Sequence, residues 1–288
     1  MPDMLPTTFA VETVLGCNLR CRECAVGSGL VRRRHGMMSY GDYERIAERI
    51  RPFSRYLYLH LWGEPMLNPD IIAMIRHASA YTATNISTNG NTLDARKARE
   101  LITSGVTDII VSIDGVSQEV YSAYRVKGEV ERALASLVML QRFNAELGTG
   151  VSITPQFIAF EHNRHEMALF AAFCRDIGLE PMFKAPYIRE GSSLKPSGIQ
   201  GLERRRSATP RGRIRAMSAC PNARNVFTIL LDGSVVACCY DHDGVTTFGN
   251  IFESDVMDIW NAPHYREFRE RIINGDAPDF CVGECLMY

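Results

Sequence analysis

Three cysteines stand close together early in the sequence, in Cys17-Asn-Leu-Arg-Cys21-Arg-Glu-Cys24. A [4Fe–4S] cluster is usually held by four thiolates, so three leave one iron without a protein ligand, open to a substrate or cofactor. Zinc is the other metal to consider, but structural zinc sites close with four ligands and no fourth Cys or His lies nearby in the sequence. Three unrelated core thiols are the bland reading; buried cysteine is common, though rarely packed this densely. A second set lies towards the other end: Cys220, Cys238, Cys281 and Cys285, with Cys239 adjoining it. Four such thiols suit either zinc or an iron–sulfur cluster, and Cys239 competes with Cys238 for one place. Cys174, alone on an amphipathic segment, reads as a small core residue.

These groups need a scaffold. Strand candidates are Phe9–Leu15, Tyr56–Trp62, Thr84–Ser87, Asp108–Ile113, Ser152–Phe160 and Pro181–Lys184. Between them lie amphipathic segments at Tyr40–Ile50, Asn68–Ala80, Leu93–Ser104, Val130–Leu147 and His165–Ile177. Alternation of this kind implies an α/β fold with a parallel sheet and right-handed crossovers. A (β/α)6 partial barrel and an open doubly wound sheet both satisfy it, and either puts chemistry at the strands' C-terminal ends. Residues 189–218 break the rhythm with Gly, Pro and a basic run at Arg204, Arg205 and Arg206, and read as a linker or loop. Beyond them, Val226–Leu231 and Ser234–Cys238 flank Asp232-Gly233 as a β-hairpin. The expected division is a barrel over 1–188, a variable segment over 189–218 and a small α+β unit over 219–288.

At 288 residues there is room for such a domain and its appendage. The 32 Lys and Arg nearly balance 33 Asp and Glu, so charge gives no case for nucleic acid or an acidic membrane. No secretory pattern opens the sequence, and no apolar run approaches the ~20 residues of a membrane span. A cytoplasmic location is expected, where clustered cysteines bind metal more often than they pair. Arg32-Arg33-Arg34 reads as a solvated run, or one that draws in an anionic substrate. Lys184, Tyr187 and Arg189, just past the sixth strand, are substrate-site candidates. Trp62 and Trp260 read as packing residues.

The C-x3-C-x2-C spacing after the first strand resembles the radical S-adenosylmethionine superfamily, which implies the partial (β/α)6 TIM-like barrel. It also implies that the open iron takes S-adenosylmethionine, whose cleavage yields a hydrogen-abstracting 5′-deoxyadenosyl radical. The family usually has an aromatic residue before the third cysteine, where this chain has Glu23. Further motifs carry the likeness in the expected order. Trp62-Gly63-Glu64-Pro65 is similar to the family's Gly-Glu-Pro, implying Gly63 and Glu64 at the methionine ammonium. Ser87 and Asn89, then Ser112 and Asp114, end the next two strands and imply ribose contacts. Arg125 sits where relatives place an arginine on the methionine carboxylate.

The second cysteine set, with Phe248-Gly249-Asn250-Ile251 and Ile259-Trp260-Asn261, resembles the SPASM/twitch extensions of that superfamily. The shorter twitch form implies one auxiliary [4Fe–4S] cluster on Cys220, Cys238, Cys281 and Cys285. On a strand Cys239 points away from Cys238; facing a substrate, its thiol could return a hydrogen atom, as in radical epimerases. The resemblance implies dehydrogenation or epimerisation of a sugar, cyclitol or aminoglycoside, and an external electron donor such as flavodoxin or ferredoxin. A peptide maturase is the alternative. Such enzymes commonly carry an N-terminal recognition domain, whereas sixteen residues precede Cys17. A non-catalytic iron–sulfur carrier is the reading from another class.

Overall fold

The computed structural model describes residues 4–189, 191–202, 220–276 and 278–284. The basic run 204–206, most of the expected linker and Cys285 lie outside the described residues. The chain opens with β1 (Thr8–Val11) and β2 (Val14–Leu15), then β3 (Gly36–Met37), α1 (Tyr40–Ile50), β4 (Tyr56–Tyr58) and α2 (Ile71–Ser79). There follow β5 (Ala83–Thr88), α3 (Ala95–Ile102), β6 (Asp108–Ser112), α4 (Gln118–Tyr124) and α5 (Val130–Leu147). β7 (Ser152–Ile158), α6 (Met167–Asp176) and β8 (Met182–Lys184) complete the alternation.

Local chemistry sets the helix ends. The Ser39 side chain accepts the Asp42 N–H at 3.1 Å to start α1, and Asp94 accepts that of Lys97 at 2.7 Å to start α3. α1 buries Tyr43, Ile46, Ala47 and Ile50, the i, i+3, i+4, i+7 stripe that a helix on a sheet requires. α5 stops at Gly148, whose φ of 59° closes the last turn.

Six strands, β1, β4, β5, β6, β7 and β8, are parallel and neighbours in that order. Phe9, Leu57, Ile86, Ile109, Val111 and Phe157 are fully buried in the main core, together with the buried stripes of α1, α2, α3 and α5. This is the expected partial barrel. The expected first strand, however, breaks at Glu12 and Thr13, and β2 turns away to pair antiparallel with β3. Glu12 is fully buried and held by Arg33, which interrupts the run.

Past residue 219 come a helical turn (Pro221–Arg224), β9 (Val226–Ile229), β10 (Ser234–Val236) and β11 (Gly249–Asn250), then helices Val256–Trp260, Pro263–Ile273 and Asp279–Glu284. The expected hairpin is present as β9 and β10. It continues the barrel sheet: β9 runs parallel beside β1, with Phe9 opposite Phe227. Among the described residues the order is β11-β10-β9-β1-β4-β5-β6-β7-β8, nine strands whose outer members do not pair. Trp260 is fully buried; its Nε1 donates to Met4 O at 2.6 Å, and the Arg269 guanidinium lies 3.5 Å over its ring.

Candidate active site

The loop after β2 carries Cys17, Cys21 and Cys24, and its backbone is pinned to the end of α4. Arg20 N donates to Val126 O at 2.8 Å and Arg22 N to Tyr124 O at 3.4 Å. Lys127, just beyond, holds a φ of 69°, a conformation that non-glycine residues adopt at a cost. Gly27 presses on the loop from the other side: a Cβ there would stand 2.5 Å from Cys21 O. Burial pushes the Cys17 thiol up to about 11 and that of Cys21 up to about 12. Any metal that takes these sulfurs therefore displaces protons.

The strand ends meet this loop. Gly63 has a φ of 103°, and a Cβ there would lie 2.6 Å from both Gly16 O and Val14 O. Only glycine lets the turn after β4 rest on the start of the cysteine loop. Glu64 is buried; its Oε1 accepts from Thr88 Oγ1 at 2.6 Å and Met66 N at 3.1 Å, and its Oε2 from Asn89 N at 2.8 Å. Burial raises its carboxyl and those hydrogen bonds pull it partly back. Expected at the methionine ammonium, the carboxylate also staples the ends of β4 and β5 together. The Asn89 amide donates to Asn18 Oδ1 at 2.9 Å and stands 3.7 Å from Cys17 Sγ, so it orients the cysteine loop as well as facing the cavity.

Asp114 takes a different place from the one expected. It is fully buried, accepting Arg125 Nε at 2.5 Å on one oxygen and Ile158 N at 2.6 Å on the other, and it does not line the cavity. A carboxylate so deep needs partners of its own, and Asp114 positions Arg125 rather than reaching a ribose. Burial works against the charge of Arg125, but Asp114 outweighs it and keeps the guanidinium firmly protonated. Arg125 faces the cavity with Nη1 4.0 Å from Cys21 Sγ. Ser87 and Ser112 do line the cavity, and Gln156 Nε2 donates to Ser112 Oγ at 3.2 Å.

The cavity encloses about 1270 Å³. Lys184, Tyr187 and Arg189 form part of its wall, as expected from their position after β8. The facing wall, which sequence reasoning missed, is the loop holding Tyr240, His242 and Asp243. Buried Asp241 shapes that loop by accepting Val245 N at 2.8 Å and Thr246 N at 2.7 Å. Arg33 Nε donates to His242 O and Arg32 N to Asp243 Oδ1, both at 2.7 Å. Trp62 is wall rather than core: its ring meets His242 edge-on at 5.6 Å, and its buried Nε1 has no partner among the described residues. Asp-His-Asp-Gly after a hairpin signals a turn and nothing more, so no sequence signal pointed to this wall.

Burial is the largest cause raising the Cys238 thiol; neighbouring Cys239 adds to it, and Cys281 and Cys220 add less. Cys220 and Cys281 share an apolar cluster with Ala223, Phe268 and Ile272. Cys239 is exposed and does not line the cavity; its charge bears on Tyr58. It therefore does not face a substrate held beside the three N-terminal thiols, and the hydrogen-donor reading loses its geometric basis. Cys238→Ala should lower the iron count of the reconstituted protein by about four per chain, one cluster's complement, while Cys239→Ala leaves it unchanged. The opposite pattern would move the ligand role to Cys239.

Among the described residues no three Cys, His, Asp or Glu side chains form a ready site for a single metal ion. The three N-terminal thiols instead share one cavity wall, beside buried apolar residues Leu19, Tyr124 and Phe160. Such a donor set suits a cluster ligated corner by corner. Comparison with known proteins agrees: the sequence model of the radical SAM superfamily matches residues 11–155. The chain belongs to that superfamily. A second model, the SPASM iron–sulfur cluster-binding domain, matches residues 220–286 of this radical SAM enzyme. A [4Fe–4S] cluster, an auxiliary iron–sulfur cluster and S-adenosylmethionine are accordingly its cofactors.

The mycofactocin maturase MftC of Mycobacterium ulcerans is 25% identical over 98% of this chain and 83% of its own. Among solved structures, Streptococcus suis SuiB bound to S-adenosylmethionine gives a TM-score of 0.72 at 16% identity, covering 99% of this chain and 72% of SuiB. SuiB has also been solved with its precursor peptide SuiA. BtrN in complex with AdoMet and 2-DOIA gives 0.60 at 18% identity, covering 95% and 89%. At these identities the structural likenesses are likenesses of fold. No helix among the described residues is long and apolar enough to cross a membrane.

Proposed function

We propose that this radical SAM enzyme modifies a peptide, abstracting hydrogen from a carbon of a side chain or backbone held in the cavity. The alignment with MftC along nearly the whole of this chain carries the reading. The cavity volume adds to it: about 1270 Å³ exceeds the roughly 300–1,000 Å³ of ordinary small-molecule sites. That leaves room for a segment of chain beside a cofactor.

Cys17, Cys21 and Cys24 are the proposed ligands of the first cluster, and Cys220, Cys238, Cys281 and Cys285 those of the auxiliary one, in the shorter twitch arrangement. When bound, the first cluster and S-adenosylmethionine supply a hydrogen-abstracting 5′-deoxyadenosyl radical. This chain's own residues do the rest. The backbone at Gly63 lets an ammonium approach closely, while Arg125, aimed by Asp114, offers a guanidinium to a carboxylate. Ser87, Ser112 and Gln156 present hydroxyl and amide groups to a ribose. Leu19, Tyr124 and Phe160 give the thiols an apolar backing, and the Tyr240–Asp243 loop faces the substrate.

A small polyhydroxylated substrate, dehydrogenated or epimerised, remains the second reading, favoured by the fold shared with BtrN over most of both chains. Anaerobic incubation with dithionite and S-adenosylmethionine tests the pair. Formation of 5′-deoxyadenosine should be stimulated by a short peptide encoded beside the enzyme's gene, with a mass change in that peptide. Stimulation by aminocyclitols and not by the peptide would overturn the peptide reading, and absence of 5′-deoxyadenosine under every condition would overturn both.

A further inference from the structure

Past β8 the chain does not enter a helix. Residues 185–189 and 191–199 fold back over the cysteine loop. Ile188 and Leu194 pack against the cluster of Leu19, Cys21, Tyr124 and Phe160, which Cys17 and Cys24 also touch. At one end this segment is tied to the loop after β7: Glu161 N donates to Lys195 O at 2.9 Å and Arg164 Nη1 to Ser197 O at 2.8 Å. At the other end it is tied to a single side chain. Glu23, between the second and third thiols and only 7% exposed, accepts Arg189 N at 3.0 Å and Arg189 Nε at 3.1 Å on Oε2. Its Oε1 accepts from Ser192 Oγ, which in turn accepts Leu194 N at 3.0 Å. Arg189 also donates from Nη2 to the carbonyl of Arg22.

We infer that residues 185–189 and 191–199 form a strap screening the first cluster from solvent, and that Glu23 is the positioning residue that latches it. A buried carboxylate is costly unless its oxygens are matched. Here all three side-chain and backbone donors come from the strap, so the acid has no other purpose within its own loop. Removing it leaves Ser192 without its acceptor and takes from Arg189 all but the Arg22 carbonyl, loosening the hold on Ile188 and Leu194. Solvent exposure is one of the terms that set the lability and potential of a cluster. Glu23 and Arg189 both line the cavity, and the latch acts on the cluster through the strap.

The test uses the anaerobically reconstituted full chain and reads the rate at which bathophenanthroline disulfonate extracts iron. Loss of a charge-assisted contact should make Glu23→Gln and Arg189→Ala each release the first cluster's iron about tenfold faster or more. The double variant should fall well short of the product of the single effects, because both changes remove the same Glu23–Arg189 ion pair; Glu23→Asp should fall between the single variants and the wild type. Because Arg189 also holds the Arg22 carbonyl in the cysteine loop, Ser192→Ala, whose only contact with that loop is through Glu23, is the third variant and should speed release in the same direction. In the apoprotein, iodoacetamide labelling of Cys17 and Cys24 should quicken in parallel. Unchanged extraction in both single variants, or effects that multiply fully in the double, would overturn the inference. The inference rests on ligation by the three thiols: full iron content with unchanged release sinks the strap alone, and loss of no iron in Cys17→Ala sinks the site.

Discussion

Gly27→Ala should cost the protein about four of its roughly eight irons while leaving the rest of the chain folded. An alanine Cβ at that position would stand 2.5 Å from Cys21 O, 2.6 Å from Cys21 N and 3.0 Å from the Arg20 carbonyl carbon. All three are backbone atoms, so no side chain can swing away. The loop cannot retreat either, since Arg20 and Arg22 are bonded to the end of α4. Overpacking of this kind typically costs about 1–3 kcal/mol, and here it falls on the backbone that aims the second thiol. Gly29→Ala is the control: its φ of 75° is unfavourable for alanine, but nothing lies within 4 Å of the new Cβ. Iron and sulfide per chain after reconstitution decide the matter; a Gly27→Ala protein with its full iron would refute the argument.

Arg33→Met should be the most destabilising change in the Arg32–Arg34 run, by about 3–5 kcal/mol, because it leaves a buried charge uncompensated. Arg33 Nη1 and Nη2 each lie 2.8 Å from an oxygen of Glu12, whose side chain is fully buried. Burial raises the Glu12 carboxyl, and Arg33 is the main force pulling it back. Glu12 also accepts Leu231 N at 2.9 Å, so the orphaned acid would disturb the edge of the hairpin as well. The double change Glu12→Gln, Arg33→Met should recover much of the loss, since no charge is then stranded. Arg32→Ala and Arg34→Ala, on exposed side chains, should stay within about 0.5 kcal/mol. Urea unfolding midpoints of the four proteins measure this, and equal midpoints for the Arg33 and Arg34 variants would contradict it.

The contrast marks what could be read from residue order alone. The thiols were legible because their chemistry lies in residue type and spacing, as were helices such as Tyr40–Ile50 and Val130–Leu147, whose apolar stripes run their full length. α4 went unread because its seven residues give too little periodicity to register. Arg33 read as solvated because a basic run usually is; only the fold reveals that the middle residue turns inward to Glu12. Asp114 read as a ribose contact because it ends a strand, yet its depth commits it to Arg125. Glu23 departs from the family pattern, and its partner Arg189 is distant in sequence. Pairings across such separations leave no local trace in composition or period.

The placement of β9 beside β1 bears on how the polypeptide is made. Thr8 and Val226, opposite one another in the sheet, emerge from the ribosome far apart in time. Until β9 is synthesised, the outer edge of β1 presents unpaired amides and carbonyls, the kind of rim that recruits other strands into aggregates. Long-range pairing of this sort is slow to form, and growing chains with open edges depend on chaperones. Cutting the gene after the sixth parallel strand would therefore leave a frayed rim next to the metal-binding loop, and the barrel is better expressed with its C-terminal extension attached.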